Sequence, residues 1–206
     1  MSELQQTTPQ PDGEEKKPRV RGSALYEAAT SLVTAVLAVT LAFTFLVQLS
    51  AVDGHSMLQT LQHGDCILVL RAPFCGAYER GDIVVARKES FMEERIVKRV
   101  IATGGQTVDI DYDRGIVYVD GVALEEDYIN DLTYTDKGLA LPVTLGENEV
   151  FLMGDNRNNS TDSRSPSLGP VDERYLVGKA VLLLLPGEDY YTGERDYSRI
   201  GLMTDR

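Results

Sequence analysis

Arg95-Ile96-Val97-Lys98-Arg99-Val100-Ile101 is the stretch that sets the fold class of this chain. Side chains of a β-strand point alternately to opposite faces. Read as a strand, this segment puts Lys98 on one face with Ile96 and Val100, and Arg95 and Arg99 on the other with Val97 and Ile101. One basic residue of three is then directed at an apolar surface. Burial disfavours the charged form of a lysine and lowers its pKa from about 10.4, by up to several units. A neutral amine can take a proton from a serine hydroxyl. The residues alone equally allow an ammonium that snorkels to the strand edge.

Working outward, Cys66–Leu70, Asp82–Ala86, Thr107–Asp111, Gly115–Val119, Glu149–Met153 and Val177–Leu184 are further short runs rich in Val, Ile and Leu. Gly-Asp, Gly-Gly, Asp-Arg-Gly and Asp-Gly turns punctuate them. Gly115 to Gly121 reads as a hairpin arm ending in the Asp120-Gly121 turn. No segment of helical period follows residue 50. The fold class is mainly β: an antiparallel β-sheet domain behind one N-terminal transmembrane helix.

That helix is read from Ala28 to Leu49, an almost uncharged run of 22 residues. At about 1.5 Å per residue it spans a hydrocarbon core of about 30 Å. A cleaved signal peptide would have a shorter apolar region, so a retained anchor is expected, with cleavage as the alternative. Lys16, Lys17, Arg19 and Arg21 precede the run, and Ser50–Asp65 contains no Lys or Arg. The positive-inside bias puts the N-terminus in the cytoplasm and the rest outside a plasma membrane, crossed once. The expected division is a disordered tail over 1–24, the anchor over 25–49, the β-rich domain over 50–186 and a polar, loosely held tail over 187–206.

The net charge is -12 over 206 residues. Residues 1–24 balance four acids against four bases, so the excess lies downstream. Such a domain repels phosphates, which excludes nucleic acid as a natural partner. It would also be repelled by anionic headgroups, so contact with the lipid bilayer must be hydrophobic. Cys66 and Cys75 lack metal-site spacing, and only His55 and His63 could join them, which argues against zinc. A disulfide between them or two free thiols both remain open.

Two further stretches carry polar chemistry. In Gly54-His55-Ser56-Met57-Leu58-Gln59-Thr60-Leu61, Ser56 follows the apolar run by seven residues, which keeps it within roughly 25 Å of the bilayer surface. Taken alone it is a loop serine like many others. His55 is a tempting base, but adjacent side chains in an extended segment point apart. Gly154-Asp155-Asn156-Arg157-Asn158-Asn159-Ser160-Thr161-Asp162-Ser163-Arg164 is a dense polar loop after a strand. Its Asn, Asp and Ser side chains can bond backbone groups and fix a rigid turn. A solvated surface loop and a calcium loop are the alternatives, the latter lacking the terminal Glu of an EF-hand.

Together these stretches resemble the type I signal peptidases. Ser56-Met57-Leu58-Gln59-Thr60-Leu61 matches the family's Ser-Met-x-Pro-Thr-Leu except for Gln59, which stands where the family has Pro. Gly81-Asp82-Ile83-Val84-Val85, Lys98-Arg99-Val100, Gly178-Lys179 and Pro186 resemble further family segments, in the same order. Gly154 to Arg164 is similar to the box Gly-Asp-Asn-Arg-x-x-Ser-x-Asp-Ser-Arg at every fixed position. The resemblance implies a membrane-bound serine endopeptidase that cleaves signal peptides from exported preproteins after small residues of Ala-x-Ala type. It implies Ser56 as nucleophile through an acyl-enzyme and Lys98 as general base. Ser160 would bond the Lys98 amine, and Asp162 and Arg164 would pair to hold the loop. Preprotein substrate would lie as an added strand against Val52, Asp53 and Gly54 and against Ile96 and Val97. No metal or cofactor is implied. Some members carry a hydroxyl two residues before the nucleophile, where this chain has Gly54. A single anchor resembles the Gram-positive form. The competing expectations are a specialised or catalytically impaired relative acting on few secreted chains, and a self-cleaving repressor-type peptidase, which the anchor and the acidic charge disfavour.

Overall fold

The computed structural model describes residues 22–87 and 95–203. Most of the tail expected over 1–24, and the last three residues of the tail expected over 187–206, lie outside them. The chain divides into two compact units, one ending at Leu41 and one running from Ala42.

The first unit is built on helix α1, Ser23–Leu46, which is long and apolar enough to cross a bilayer. It ends three residues before the sequence predicts. Val47–Leu49 instead begin strand β1 (Val47–Ala51), paired antiparallel with β2 (Cys66–Arg71) from Val47↔Leu70 to Ala51↔Cys66. An apolar run reads the same in a helix and in a strand, and only the distant partner decides between them.

In the second unit the larger sheet contains β1, β2, β3 (Ile83–Ala86), β4 (Ile96–Ala102), β9 (Glu149–Met153), β10 (Val171–Asp172), β11 (Leu176–Leu185) and β12 (Gly201–Leu202). Its order is β1-β2-β11-β3-β4-β9-β10, with β12 also on β11, and every pair is antiparallel. A smaller sheet holds β5 (Thr107–Asp111), β6 (Ile116–Val119), β7 (Val122–Ala123) and β8 (Val143–Thr144) in the order β7-β6-β5-β8. The predicted hairpin is β6–β7. Asp120 and Gly121 both take positive φ there, 52° and 78°, as a two-residue turn of matching twist requires. All seven long runs read as strands are strands. The added strands β7, β8, β10 and β12 are two residues each, too short to carry a period.

Three apolar clusters fill the domain. Val52, Met57, Leu61, Ile67, Val85 and Val97 share one. Val84, Ile96, Val100, Leu152, Leu168 and Leu176 share a second. Ile101, Val108, Val117, Phe151 and Met153 join the two sheets in a third. All of β4 is buried, on both faces. The face that carries Arg99 is therefore covered too, and Arg99 is held there by an ion pair with Asp155.

Residues 187–203 are tied down, not loose. Arg199 forks onto the buried carboxylate of Asp65 at 3.0 and 2.6 Å, and Gly187 N–H donates to the same group at 2.6 Å. Met203 is buried, and β12 pairs with β11 at Leu182↔Leu202. A polar composition hid this, because the anchors are single residues meeting distant partners.

Candidate active site

Ser56 sits in the loop from Val52 to Asp65 between β1 and β2. The loop is closed at its base by Val52 N–H to Asp65 C=O and Gly64 N–H to Val52 C=O, both 2.8 Å. Met57, Leu58 and Leu61 are buried beneath it and pull the turn onto the sheet. Ser56 itself stays partly exposed at its crest. The His55 side chain packs edge-on against Tyr190, ring centroids 4.7 Å apart, and makes no bond to Ser56 among the contacts of the described residues.

Lys98 reaches this turn from the middle of β4. It is 4% exposed, and its Nζ lies 2.7 Å from Ser56 Oγ while donating to Val97 C=O at 2.9 Å. Desolvation lowers its pKa from 10.5 to about 8, against the opposing pull of Asp162 and Asp155. Of the two readings of Lys98, the structure has the buried one.

The polar loop after β9 packs against both. Gly154 leaves no room for a side chain: a Cβ there would stand 2.3 Å from Ser160 Oγ and 2.4 Å from Ser56 C=O. Asp162 and Arg164 pair as expected, through Arg164 Nε to Oδ1 and Nη2 to Oδ2, both 2.8 Å, and neither side chain is exposed. Asp162 also accepts from Gly154 N–H at 3.0 Å. Burial raises its pKa, but the Arg164 hydrogen bonds and charge outweigh that and hold the carboxyl below its usual range.

Ser160 departs from expectation. Its Oγ is buried beside the Asp162 carboxylate, whose pKa it helps to lower, and Lys98 Nζ bonds Ser56 and Val97 rather than Ser160. The amine is turned toward Ser56 Oγ and Val97 C=O, while Ser160 packs over Gly154. Cys66 and Cys75 are both free thiols, which corrects the disulfide alternative.

Two further buried ion pairs support the loop. Arg99 grips Asp155 through Nε and Nη2 at 2.9 and 2.7 Å, and its guanidinium lies 3.9 Å above the Tyr128 ring. Thr60 Oγ1 donates to Asp155 Oδ2 at 2.5 Å, tying the Ser56 turn to the same carboxylate. Arg157 forks onto Glu126, with Nη1 to Oε2 at 2.7 Å. Sequence reasoning missed Arg99, Glu126 and Tyr128, and the signal was the excess of charge in strands and loops that also carry core residues.

A depression runs alongside the Ser56–Lys98 contact. Val52, Asp53, Gly54, Ile96 and Val97 are among the residues that line it. Every residue expected to meet substrate lies on it. Gly54 N–H donates to His63 Nδ1 at 3.2 Å. A serine with a buried lysine at its oxygen, beside an extended groove, suits acyl transfer from a peptide.

The family model for signal peptidase, peptidase S26, matches residues 25–185. The chain is 31% identical over 183 residues to a signal peptidase I of Bacillus amyloliquefaciens, covering 85% of this chain and 93% of that one. It is 33% identical over 180 residues to signal peptidase I T of Bacillus subtilis, covering 84% and 91%. It is 35% identical over 164 residues to a probable signal peptidase I-1 of Synechocystis, covering 75% and 79%. A crystal structure of a signal peptidase I from Enterococcus faecalis aligns over 51% of this chain and 97% of that one, at 29% identity and a TM-score of 0.42. By the family model and the curated relatives the chain belongs to the S26 family of signal peptidases.

Proposed function

We propose that this chain is a membrane-bound serine endopeptidase that removes signal peptides from exported preproteins, cutting after small residues of Ala-x-Ala type. The observation that carries the reading is the 2.7 Å approach of a buried, pKa-lowered Lys98 amine to Ser56 Oγ. In this reading neutral Lys98 takes the Ser56 proton as Oγ attacks the scissile carbonyl. The ammonium then gives that proton to the leaving amine, and an acyl-Ser56 ester remains. Lys98, neutral again, activates the water that hydrolyses the ester. Ser56 N–H stabilises the oxyanion in both steps. Asp162 and Arg164 brace the loop that carries Ser160 beside the nucleophile turn.

Substrate would add as a strand between Val52–Gly54 and Ile96–Val97. Alternating side chains of such a strand would point into the depression, which suits small residues at the first and third positions before the cut. The chain would cross the plasma membrane once, with its N-terminus in the cytoplasm and residues 50–186 outside as the catalytic domain.

The test is cleavage of a preprotein bearing an Ala-x-Ala site by full-length protein in detergent, with Ser56→Ala and Lys98→Ala alongside. Cleavage after the last alanine by the wild type, lost in both variants, is expected. Activity surviving in either variant would sink the Ser–Lys assignment.

A further inference from the structure

The peptide linking His55 to Ser56 is held from the side by Asn156. The Asn156 Nδ2 group donates to His55 C=O at 3.0 Å, and its backbone N–H donates to Ser56 C=O at 3.0 Å. These two carbonyls bracket the nucleophile. A carbonyl accepts and cannot donate, so the amide nitrogen of Asn156 is the atom that must face it. His55 C=O also accepts from Leu58 N–H, at the longer distance of 3.4 Å. Asn156 is 8% exposed, so water competes little for its bonds.

Geometry gives this contact a consequence. A peptide unit is planar, and its C=O and N–H point in opposite directions. Fixing the His55 oxygen therefore fixes the direction of the Ser56 N–H, which is the oxyanion donor in the reading above. An amide whose oxygen accepts a hydrogen bond is also polarised toward stronger donation at its nitrogen. This chain has Gly54 two residues before the nucleophile, so no side-chain hydroxyl from that position can share the oxyanion. The backbone donor carries a larger share, and its aim matters more.

The loop is built to hold Asn156 there. Gly154 lets the backbone close onto Ser56 C=O, and Asp155 is pinned by Arg99 and by Thr60, four residues beyond the nucleophile. The nucleophile turn is thus gripped at His55 C=O, Ser56 C=O and Thr60 Oγ1 by consecutive residues of one loop.

We propose that Asn156 is a positioning residue of the oxyanion site, whose side-chain amide orients and polarises the His55–Ser56 peptide so that Ser56 N–H meets the developing negative charge. The proposal rests on Ser56 being the nucleophile.

The test uses full-length protein carrying Asn156→Asp, which keeps the size but loses the Nδ2 donor, and Asn156→Ala. Both keep the backbone bond to Ser56 C=O. Preprotein kcat and KM are measured, with the affinity for an Ala-x-Ala peptide aldehyde, whose carbonyl adds Ser56 Oγ to give a hemiacetal, and for the matching unreactive peptide amide. The expected result is a fall in kcat of about 10- to 100-fold, short of full removal of an oxyanion donor. KM and amide affinity stay within about twofold, aldehyde affinity falls in step with kcat, and the acid limb of the pH profile does not move. Wild-type kcat in Asn156→Asp would overturn the proposal. So would a joint loss of KM, amide binding and the melting transition, which would make Asn156 a framework residue. Ser56→Ala and Lys98→Ala are run beside them. If Ser56→Ala still cleaves, the Ser–Lys reading and this proposal fall together; if it is dead while Asn156→Asp cleaves normally, this proposal falls alone.

Discussion

Lys98 carries two opposite demands. In the proposed mechanism its amine works only when neutral, and the burial that makes it so costs folding energy whenever it is charged. With a pKa of about 8, the proton leaves as pH rises through that value. We predict that kcat/KM rises about tenfold per pH unit below pH 8 and levels off above it, measured on a peptide substrate. Stability follows the same proton. The unfolded lysine keeps its charge up to about 10.5, whereas the folded one loses it at about 8, so below pH 8 the fold bears the full cost of a buried ammonium. Lys98→Met is therefore expected to be inactive and to melt higher than the wild type at pH 6–7, by about 2–4 °C for each kcal/mol recovered. The gain should shrink between pH 8 and 10.5 and vanish above. An equal gain at all pH values would count against the buried-charge account. Alternation sets Lys98 among Ile96 and Val100 and leaves snorkelling open, so Lys98 could be picked from the sequence only through the resemblance. Arg99 could not, because its partner Asp155 is 56 positions away and no periodicity records a distant carboxylate.

At the scale of elements, the loop after β9 joins the Ser56 turn to the sheet. Its Asp, Asn and Ser side chains pointed to a rigid turn, but the Asp162–Arg164 pair was legible only through the resemblance, because Asp155 and Arg157 have the same spacing and pair with other residues. The pairing of Arg157 with Glu126 was not legible, and neither was the end of α1, where an apolar run passes from helix to strand without a change of composition. Two consequences are testable. Gly154→Ala places a methyl against Ser56 C=O and Ser160 Oγ, and should abolish cleavage while leaving most of the fold intact by circular dichroism. Asp155→Ala removes the carboxylate from an Arg99 that is 2% exposed, and should destabilise the domain by about 3–5 kcal/mol in a denaturant titration. A loss under 1 kcal/mol would mean that the Gly81 carbonyl and the Tyr128 ring suffice for Arg99.

For the whole molecule, the anchor predicts behaviour in the cell. Full-length protein should stay with membranes through an alkaline carbonate wash, a fragment starting at Ala42 should be released, and a tag at the N-terminus should be shielded from protease added outside intact cells. The strand order β1-β2-β11-β3-β4-β9-β10 has a further consequence. Ser56 hangs from the β1–β2 pair and Lys98 lies on β4 beside β3, and β11 is the strand that joins these two halves. It is also the last long strand to leave the ribosome, as Leu176–Leu185. A nascent chain that already contains Ser56 and Lys98 still lacks the strand that brings them within reach of each other. Synthesis itself thus acts as a safety catch: a peptidase interrupted before Leu176 should be born harmless to the secretory traffic around it.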